Sequence, residues 1–428
     1  MKTDETVFGY GSNDKTKLLT DHEIYRILSD AFSAYPLRGK KILLVIPDGT
    51  RTMQMDRFFK TIYSLLHGVV KQLDLIIALG THRPMSEKEI CARLGLTVDE
   101  YQKNYRDVHF YNHTWDDPSA FLKIGEFDPG VFKNISLGTI DQSIPVEINK
   151  IILNYDVLMV CGPVFPHEVV GFSGGSKYFF PGIGAPALID ATHWTAAVQS
   201  CRKTIGIIRT PNRELIETAA TWIPLPRIYC CAVVKKEGIY GLFAGDPCHS
   251  WQKAAALSAE VHIVYKDKPF HTVLAEIPPI YEDIWTAGKG MFKLEQVVQD
   301  GGELILYAPH IRSISKTHGK ILESIGYHCR DYYLKQWNNY KMIPWSVLSH
   351  SVNVSGPGTY ENGIETKRIS VRLATGIPEA HCKKINLKYE NPKNIRPEAY
   401  KNREDEGILS VPYAGETLYR IFGQPSEI

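Results

Sequence analysis

The chain has 428 residues, beyond the ~250–300 at which single hydrophobic cores stop growing, so more than one domain is expected. With 44% hydrophobic and 22% charged residues it has ample material for packed cores, which argues against disorder. A formal net charge of +2 gives no global field to recruit nucleic acid or an acidic membrane, so any bound anion must be held by a few local cations.

In chain order, "HEIYRILSDAFS" (22–33) has helical spacing of Ile, Leu and Phe behind Asp21, read as the N-cap. "KKILLVIPDGTR" (40–51) is an apolar run with polar ends, the pattern of a buried parallel strand stopping at Pro47-Asp48-Gly49. "MDRFFKTIYSLLHGVVKQL" (55–73) reads as a helix. "DLIIALGTHRPMSEKEICARLG" (74–95) repeats strand, glycine turn and helix, with Ser86 and Glu89 forming a capping box. "DVLMVCGPVFPHEVVGFSGG" (156–175) is a third strand with a Gly/Pro-rich exit. A hairpin is expected over 228–247, then a helix leading into a strand over 251–266. New strands begin at 270–279 and 301–310, with a helix at 291–300 between them. Beyond these come a helix at 318–329, a strand at 346–356, a polar loop at 388–407 and a last helix at 415–424.

Strands alternating with helices predict α/β architecture: two α/β domains with mostly parallel sheets and an active site in the cleft between them. The expected division is 1–268, 269–410, and a C-terminal helix in 411–428 returning to the first domain. The eight cysteines contain no CxxC pair, which argues against a thiolate zinc site. The start is polar, and no apolar run reaches the ~18–20 residues that cross a bilayer. A cytoplasmic protein with reduced thiols and no membrane or nucleic-acid partner is the expectation.

The first three strand exits read "PDGTR", "GTHRP" and "PHEVVGFSGGSK". In open α/β sheets ligands bind beyond the C-terminal strand ends, so Asp48, Arg51, His82, Arg83, His167 and Lys177 are expected at one site. Lys177 sits between small residues (Ser173, Gly174, Gly175, Ser176) and Phe179-Phe180. The plain reading is an anion-binding turn with a surface lysine. It is not a Walker A loop, because Tyr178 stands where Ser or Thr is required. The sharper reading is an amine used covalently, its pKa depressed by apolar neighbours. His82, His167 and His193 each lie beside a ligand-side turn and suit proton transfer or metal ligation, but spacing alone does not distinguish their roles. Arg51, Arg83 and Lys289 are candidates to hold a carboxylate or phosphate.

Together "PDGTR", "LGTHRP", "PHEVVGFSGGSKYFFPGIG", "ATHW" and "WTAGKGM" resemble the lactate racemase family, whose members use a nickel-pincer nucleotide. The resemblance covers most of the chain. It implies a racemase or epimerase inverting carbon 2 of a 2-hydroxy acid by reversible hydride transfer. The cofactor it implies is Ni(II) with pyridinium-3-thioamide-5-thiocarboxylic acid mononucleotide, joined covalently to Lys177. His193 corresponds to the nickel ligand, and His82 and His167 to the acid/base pair. Asp48 and Arg51 match the family's D-x-x-R turn. Asp48, Gly174, Gly175 and Ser176 are carried over as cofactor-binding residues, and Arg51, Lys289, Trp285 and Thr286 as substrate-binding ones. Members acting on lactate carry Tyr-Gln where Trp285-Thr286 stands, which points to an acid larger or more hydroxylated than lactate, such as an aldonic acid. The implied partners are a small 2-hydroxy acid and, transiently, cofactor-synthesis enzymes. Two rival functions remain in view. An NAD-dependent 2-hydroxy acid dehydrogenase would need GxGxxG after a strand, which "GYGSND" (9–14) does not supply. A non-enzymatic binder of anionic metabolites would need the cations but not His193.

Overall fold

In the computed structural model, residues 7–11 and 16–423 are described. Two sheets organise them. The first has the strand order Val7–Gly11, Gly238–Gly245, Arg227–Lys235, Val157–Pro163, Lys41–Pro47, Gln72–Ala78, Phe110–Asn112. Its four contacts from Arg227–Lys235 to Phe110–Asn112 are parallel, and its two edge contacts are antiparallel. The second runs Lys388–Tyr389, Ser370–Thr375, Val298–Ala308, Phe270–Glu276, Ile408–Val411, and every pairing in it is parallel. The mixed α/β architecture with mostly parallel sheets is therefore as expected.

The central strands of the first sheet are mostly apolar because both of their faces are covered. Ile42, Leu43, Leu44, Val45 and Ile46 are all fully buried. Register then fixes the exits. Pro47 lies opposite Ala78, so Asp48 and the turn leading to His82 leave the sheet side by side. Val45 lies opposite Val160, which brings the "PHEVVGFSGG" exit alongside them.

The sequence misplaced several elements. The first helix is Asp21–Ser33, and its cap is Thr20 rather than Asp21: Thr20 Oγ1 accepts from the Glu23 amide (3.2 Å), and Glu23 reaches back to the Thr20 amide (2.8 Å). The second ends at Leu66 rather than 73, with Gly68 at φ +77° just beyond it. The helix expected at 291–300 is Ile284–Leu294, capped by Asp283, and the next strand already begins at Val298. The expected strand at 346–356 is the helix Trp345–Ser355. Every residue from Ser346 to Ser355 is buried, so no exposed polar face marks its helical period, and its valines mimic a strand. The expected terminal helix is the strand Leu418–Ile421, paired in parallel with Ile263–Lys266. Leu418, Tyr419 and Ile421 suit a free sheet edge better than an isolated helical turn. Gln424 lies outside the described residues. Of "GYGSND", Gly9–Gly11 belong to an edge strand rather than to a turn leaving one, and 12–14 lie outside the described residues.

Close packing reaches the functional segment at Gly162. A Cβ there would lie 2.4 Å from the Tyr178 ring, next to Lys177. Gly162→Ala should therefore lower stability by about 1–3 kcal/mol. Gly130→Ala, with open space around it, should leave the melting temperature unchanged or slightly raised. Equal melting curves for the two variants would contradict this packing.

Candidate functional site

One cleft gathers residues from the strand exits of the first sheet and from the helices Pro186–Gln199, Ile284–Leu294 and Trp345–Ser355. Asp48, Arg51, His82, His167, Gly174, Lys177, His193, Trp285, Thr286 and Lys289 all line it.

His82 Nδ1 and Asp48 Oδ2 are 2.5 Å apart. Burial alone would raise the Asp48 carboxyl, but the His82 charge and hydrogen bond, the Thr50 hydroxyl and Lys289 hold it well below the usual carboxylate range. An ionised carboxylate only accepts, so His82 donates from Nδ1, and whenever the ring is neutral its Nε2 keeps the lone pair. His167 is held the other way. Its Nδ1 accepts from the Val169 amide (3.1 Å), which puts the proton of the neutral ring on Nε2. Burial first, then the Lys177, Arg51 and Lys293 charges, push its pKa far down. The two imidazoles thus present opposite tautomers.

The loop before Lys177 is clamped from behind. Arg213 donates to the carbonyls of Phe172 (3.3 Å) and Gly174 (3.2 Å), and lies 3.5 Å over the Trp251 ring. Trp251 Nε1 donates to the Ser173 carbonyl (2.9 Å). Ser176 Oγ is bonded to Glu217 (2.6 Å) and Tyr229 (2.7 Å). Ser176 and Gly175 are therefore absent from the cleft wall, where they were expected to touch a ligand, and shape the turn from behind. Gly175 leaves room for Trp251, since a Cβ would stand 2.9 Å from it. Gly174, at φ +83°, does line the cleft, and a Cβ there would stand 2.6 Å from Val164.

Burial, then the neighbouring Arg51 charge, push the Lys177 amine down to about 8, while Glu168 and Asp48 pull the other way. Lys289 is pushed far down, again by burial first and Arg51 second, and its Nζ is buried without a hydrogen-bond partner among the described residues. The Tyr281 ring lies 4.8 Å from that nitrogen. Arg83 does not join the cleft as expected. It pairs with Glu89 (2.7 Å) and lies near Glu282 (3.8 Å). Thr286 lines the cleft, but its hydroxyl donates to Asp283 Oδ1 (2.7 Å) in the helix cap and is not free for a ligand.

The residues fit a tethered metal group. Lys177 offers a buried amine of depressed pKa, and Gly174 offers close backbone approach. His193 Nδ1 donates to the Ile189 carbonyl (2.7 Å), which leaves Nε2 as a lone-pair donor in the orientation common to metal-binding histidines. Burial lowers the His193 pKa and favours that neutral ring. Among the described residues no group of three or more His, Cys, Asp or Glu is disposed to hold a metal. A metal at His193 would therefore take its other donors from a bound organic group.

Sequence reading missed Glu168, Lys293, Ser346, Ser349, His350 and Asn353. Glu168 stands beside His167, and Lys293 and Arg51 hold its carboxyl down against the opposing effect of burial. Lys293 follows Lys289 by one helical turn and donates to the Pro166 carbonyl; placing that helix at 284–294 would have exposed the pair. The other four lie on the helix misread as a strand.

The amine environment gives a direct test. Competitive acetylation followed across pH should show Lys177 reacting with a midpoint near 8, against about 10.5 for an ordinary lysine. Arg51→Ala should raise that midpoint, because it removes a neighbouring cation. A Lys177 midpoint among those of surface lysines would contradict the burial described here.

The lactate racemase N-terminal domain model matches residues 23–206. A lactate racemase from Thermoanaerobacterium thermosaccharolyticum is 27% identical over 281 residues, 63% of this chain and 60% of that one. The lactate racemase of Lactiplantibacillus plantarum is 24% identical over 283 residues, again 63% of this chain and 61% of the relative. The match thus spans about three fifths of the curated relatives' length. Among solved structures, a Thermotoga maritima protein superposes with a TM-score of 0.87 at 31% identity, covering 94% of this chain and 98% of that one. The lactate racemase apoprotein of T. thermosaccharolyticum superposes with a TM-score of 0.67 at 20% identity, covering 90% and 88%, a likeness of fold. The chain thus carries a match to the lactate racemase N-terminal domain over residues 23–206 and is similar to two lactate racemases over 63% of its length.

Proposed function

We propose that this protein is an isomerase that inverts carbon 2 of a 2-hydroxy acid, lactate or a larger hydroxy or aldonic acid. In this reading Lys177 carries a nickel-pincer nucleotide through a thioamide, Gly174 and Asp48 lie against it, and His193 ligates the nickel through Nε2. When bound, that group supplies a hydride acceptor, so carbon 2 need not lose its hydrogen as a proton beside a carboxylate. The observation that carries the reading is the convergence of Lys177, His193, His82 and His167 on one cleft.

The chain's own groups then have defined tasks. Arg51 and Lys289 hold the carboxylate, and Lys289 gains the partner it lacks. His82 takes the hydroxyl proton at Nε2. Asp48, already ionised, stabilises the imidazolium that results, as a carboxylate does behind a catalytic histidine. His167 supplies a proton to the oxygen once the flat 2-keto acid has presented its other face. Converting the Lys177 amine to a thioamide removes the charge that, after burial, does most to depress His167. That change favours the protonated ring His167 needs. For the opposite enantiomer the two histidines would exchange tasks, His167 taking the proton at Nε2 once its Nδ1 carries the ring's other proton and has released the Val169 amide. Trp285 forms a wall of the substrate space.

The protein would work in the cytoplasm, with cofactor-synthesis enzymes as transient partners. No helix among the described residues is long and apolar enough to cross a membrane.

In protein loaded with the group, His82→Ala and His167→Ala should each reduce turnover by ~10²–10⁴-fold, the usual contribution of a general base. Asp48→Asn should lower kcat far more than it raises KM, because it disturbs the tautomer of His82 and not the carboxylate clamp. Chiral chromatography of 2-hydroxy acids incubated in deuterated water reads both turnover and path: direct hydride return leaves carbon 2 nearly free of deuterium. Turnover within about threefold of the parent in both histidine variants would contradict the assignment.

A further inference from the structure

The helix Trp345–Ser355 brings Ser346, Ser349, His350 and Asn353 to the cleft wall, a spacing of three, four and seven that is one helical face. None of these side chains is a carboxylate or a permanent cation. The apolar residues of the same helix, Val347, Leu348 and Val354, are fully buried elsewhere. Core packing alone would favour apolar residues on every buried face, so a polar stripe against a cleft calls for polar partners.

His350 sharpens the point. Its ring stacks on Trp285 with centroids 4.3 Å apart and planes at 12°. Its Nε2 lies 3.1 Å from the Trp285 carbonyl, which only accepts, so Nε2 carries the proton. Nδ1 is then a lone-pair acceptor, buried and without a hydrogen-bond partner among the described residues. Burial, first among the influences, pushes the imidazole down to about 4, so it stays neutral at neutral pH. An unpaired buried acceptor is costly and is relieved by a donor. A methyl group or a second carboxylate supplies none, whereas a hydroxyl does. One turn along, Asn353 Nδ2 reaches Ser349 Oγ only at 3.5 Å, which leaves both groups with capacity to bond a ligand.

We propose that this stripe is the subsite for the substrate chain beyond carbon 2, and that this chain is polyhydroxylated, as in a sugar acid, with His350 Nδ1 accepting from one of its hydroxyls. The inference rests on the 2-hydroxy acid reading above and narrows its substrate class. It makes His350 a substrate-binding residue and Ser349 and Asn353 its companions. A ribose hydroxyl of a bound nucleotide offers the same donor chemistry, so the test separates the two sources.

Calorimetric titration of the loaded protein compares gluconate with 2-hydroxyhexanoate, which has the same carbon count and no further hydroxyls. Gluconate should bind at least about tenfold tighter, as one satisfied buried bond provides. His350→Phe keeps the stacked ring and should bring that ratio close to unity, with Ser349→Ala reducing it in part. Either variant suffices if the other fails to fold by circular dichroism. Equal or tighter binding of 2-hydroxyhexanoate overturns the proposal, as does a ratio unchanged in both variants. Loss in His350→Phe only of a pyridinium mononucleotide's affinity for the apoprotein assigns the donor to ribose and also overturns it. If Lys289→Ala weakens both acids alike while no preference between them exists, only the stripe assignment falls. If neither acid binds, the 2-hydroxy acid reading falls with it.

Discussion

Crowding four cations around one cleft, Arg51 and Lys177 half-buried and Lys289 and Lys293 buried, is expensive, and the nearby carboxylates of Asp48 and Glu168 offset it only in part. The strain shows in the amines. Lys177 and Lys293 are each pushed down to about 8, and Lys289 further, with burial the first cause every time. A fold keeps such an arrangement where a ligand completes it. In the proposed function, carboxylate binding would pair Lys289, and conversion of the Lys177 amine to a neutral linkage would remove one of the repelling charges. The rest of the site follows from that electrostatic imbalance. Depressed amines are reactive amines. Cations at the cleft keep the buried His167 neutral, while an ionised Asp48 fixes the opposite tautomer in His82.

The scaffold's contribution is register. Parallel pairing sets Pro47 opposite Ala78, and the same pairing runs on to the strand that leads to His167. Residues separated by more than a hundred positions in the chain therefore emerge at one edge, where a turn can place Asp48 against His82 with no further device. The Lys177 loop needs more help. Gly174 admits close approach, but Arg213, Trp251, Glu217 and Tyr229 hold the loop's backbone and Ser176 from behind. Rigidity behind and openness in front suit a segment that has to carry a group in one position.

Much of this was legible in the sequence, for a physical reason. Strands buried on both faces are long apolar runs, and their exits are marked by abrupt Pro, Gly and charged residues. That is why Asp48, His82, His167 and Lys177 could be grouped before any coordinates. The second half was less legible. The helix Trp345–Ser355 is buried all round, so neither hydrophobic period nor exposed face betrays it, and its valines read as a strand. Misreading it hid His350 and the polar stripe. The helix Ile284–Leu294 was placed several residues late because its N-terminal residues, Trp285 to Gly290, give little propensity signal. With it went the one-turn spacing of Lys289 and Lys293. Leu418–Ile421 is a strand only because Ile263–Lys266 offers it an edge, a long-range fact that no local pattern carries. Arg83 and Thr286 were singled out by type, but Glu89 and Asp283 already satisfy them.

Everything depends on one buried amine serving as the tether of a metal-bearing group. Peptide mapping by mass spectrometry, on catalytically active protein produced together with the cofactor-synthesis enzymes, tests this directly when joined to nickel analysis of the same sample. The account predicts a covalent adduct confined to the Lys177 peptide, with nickel retained in proportion to it and sharply reduced in His193→Ala. Active protein whose Lys177 peptide has its unmodified mass would contradict it.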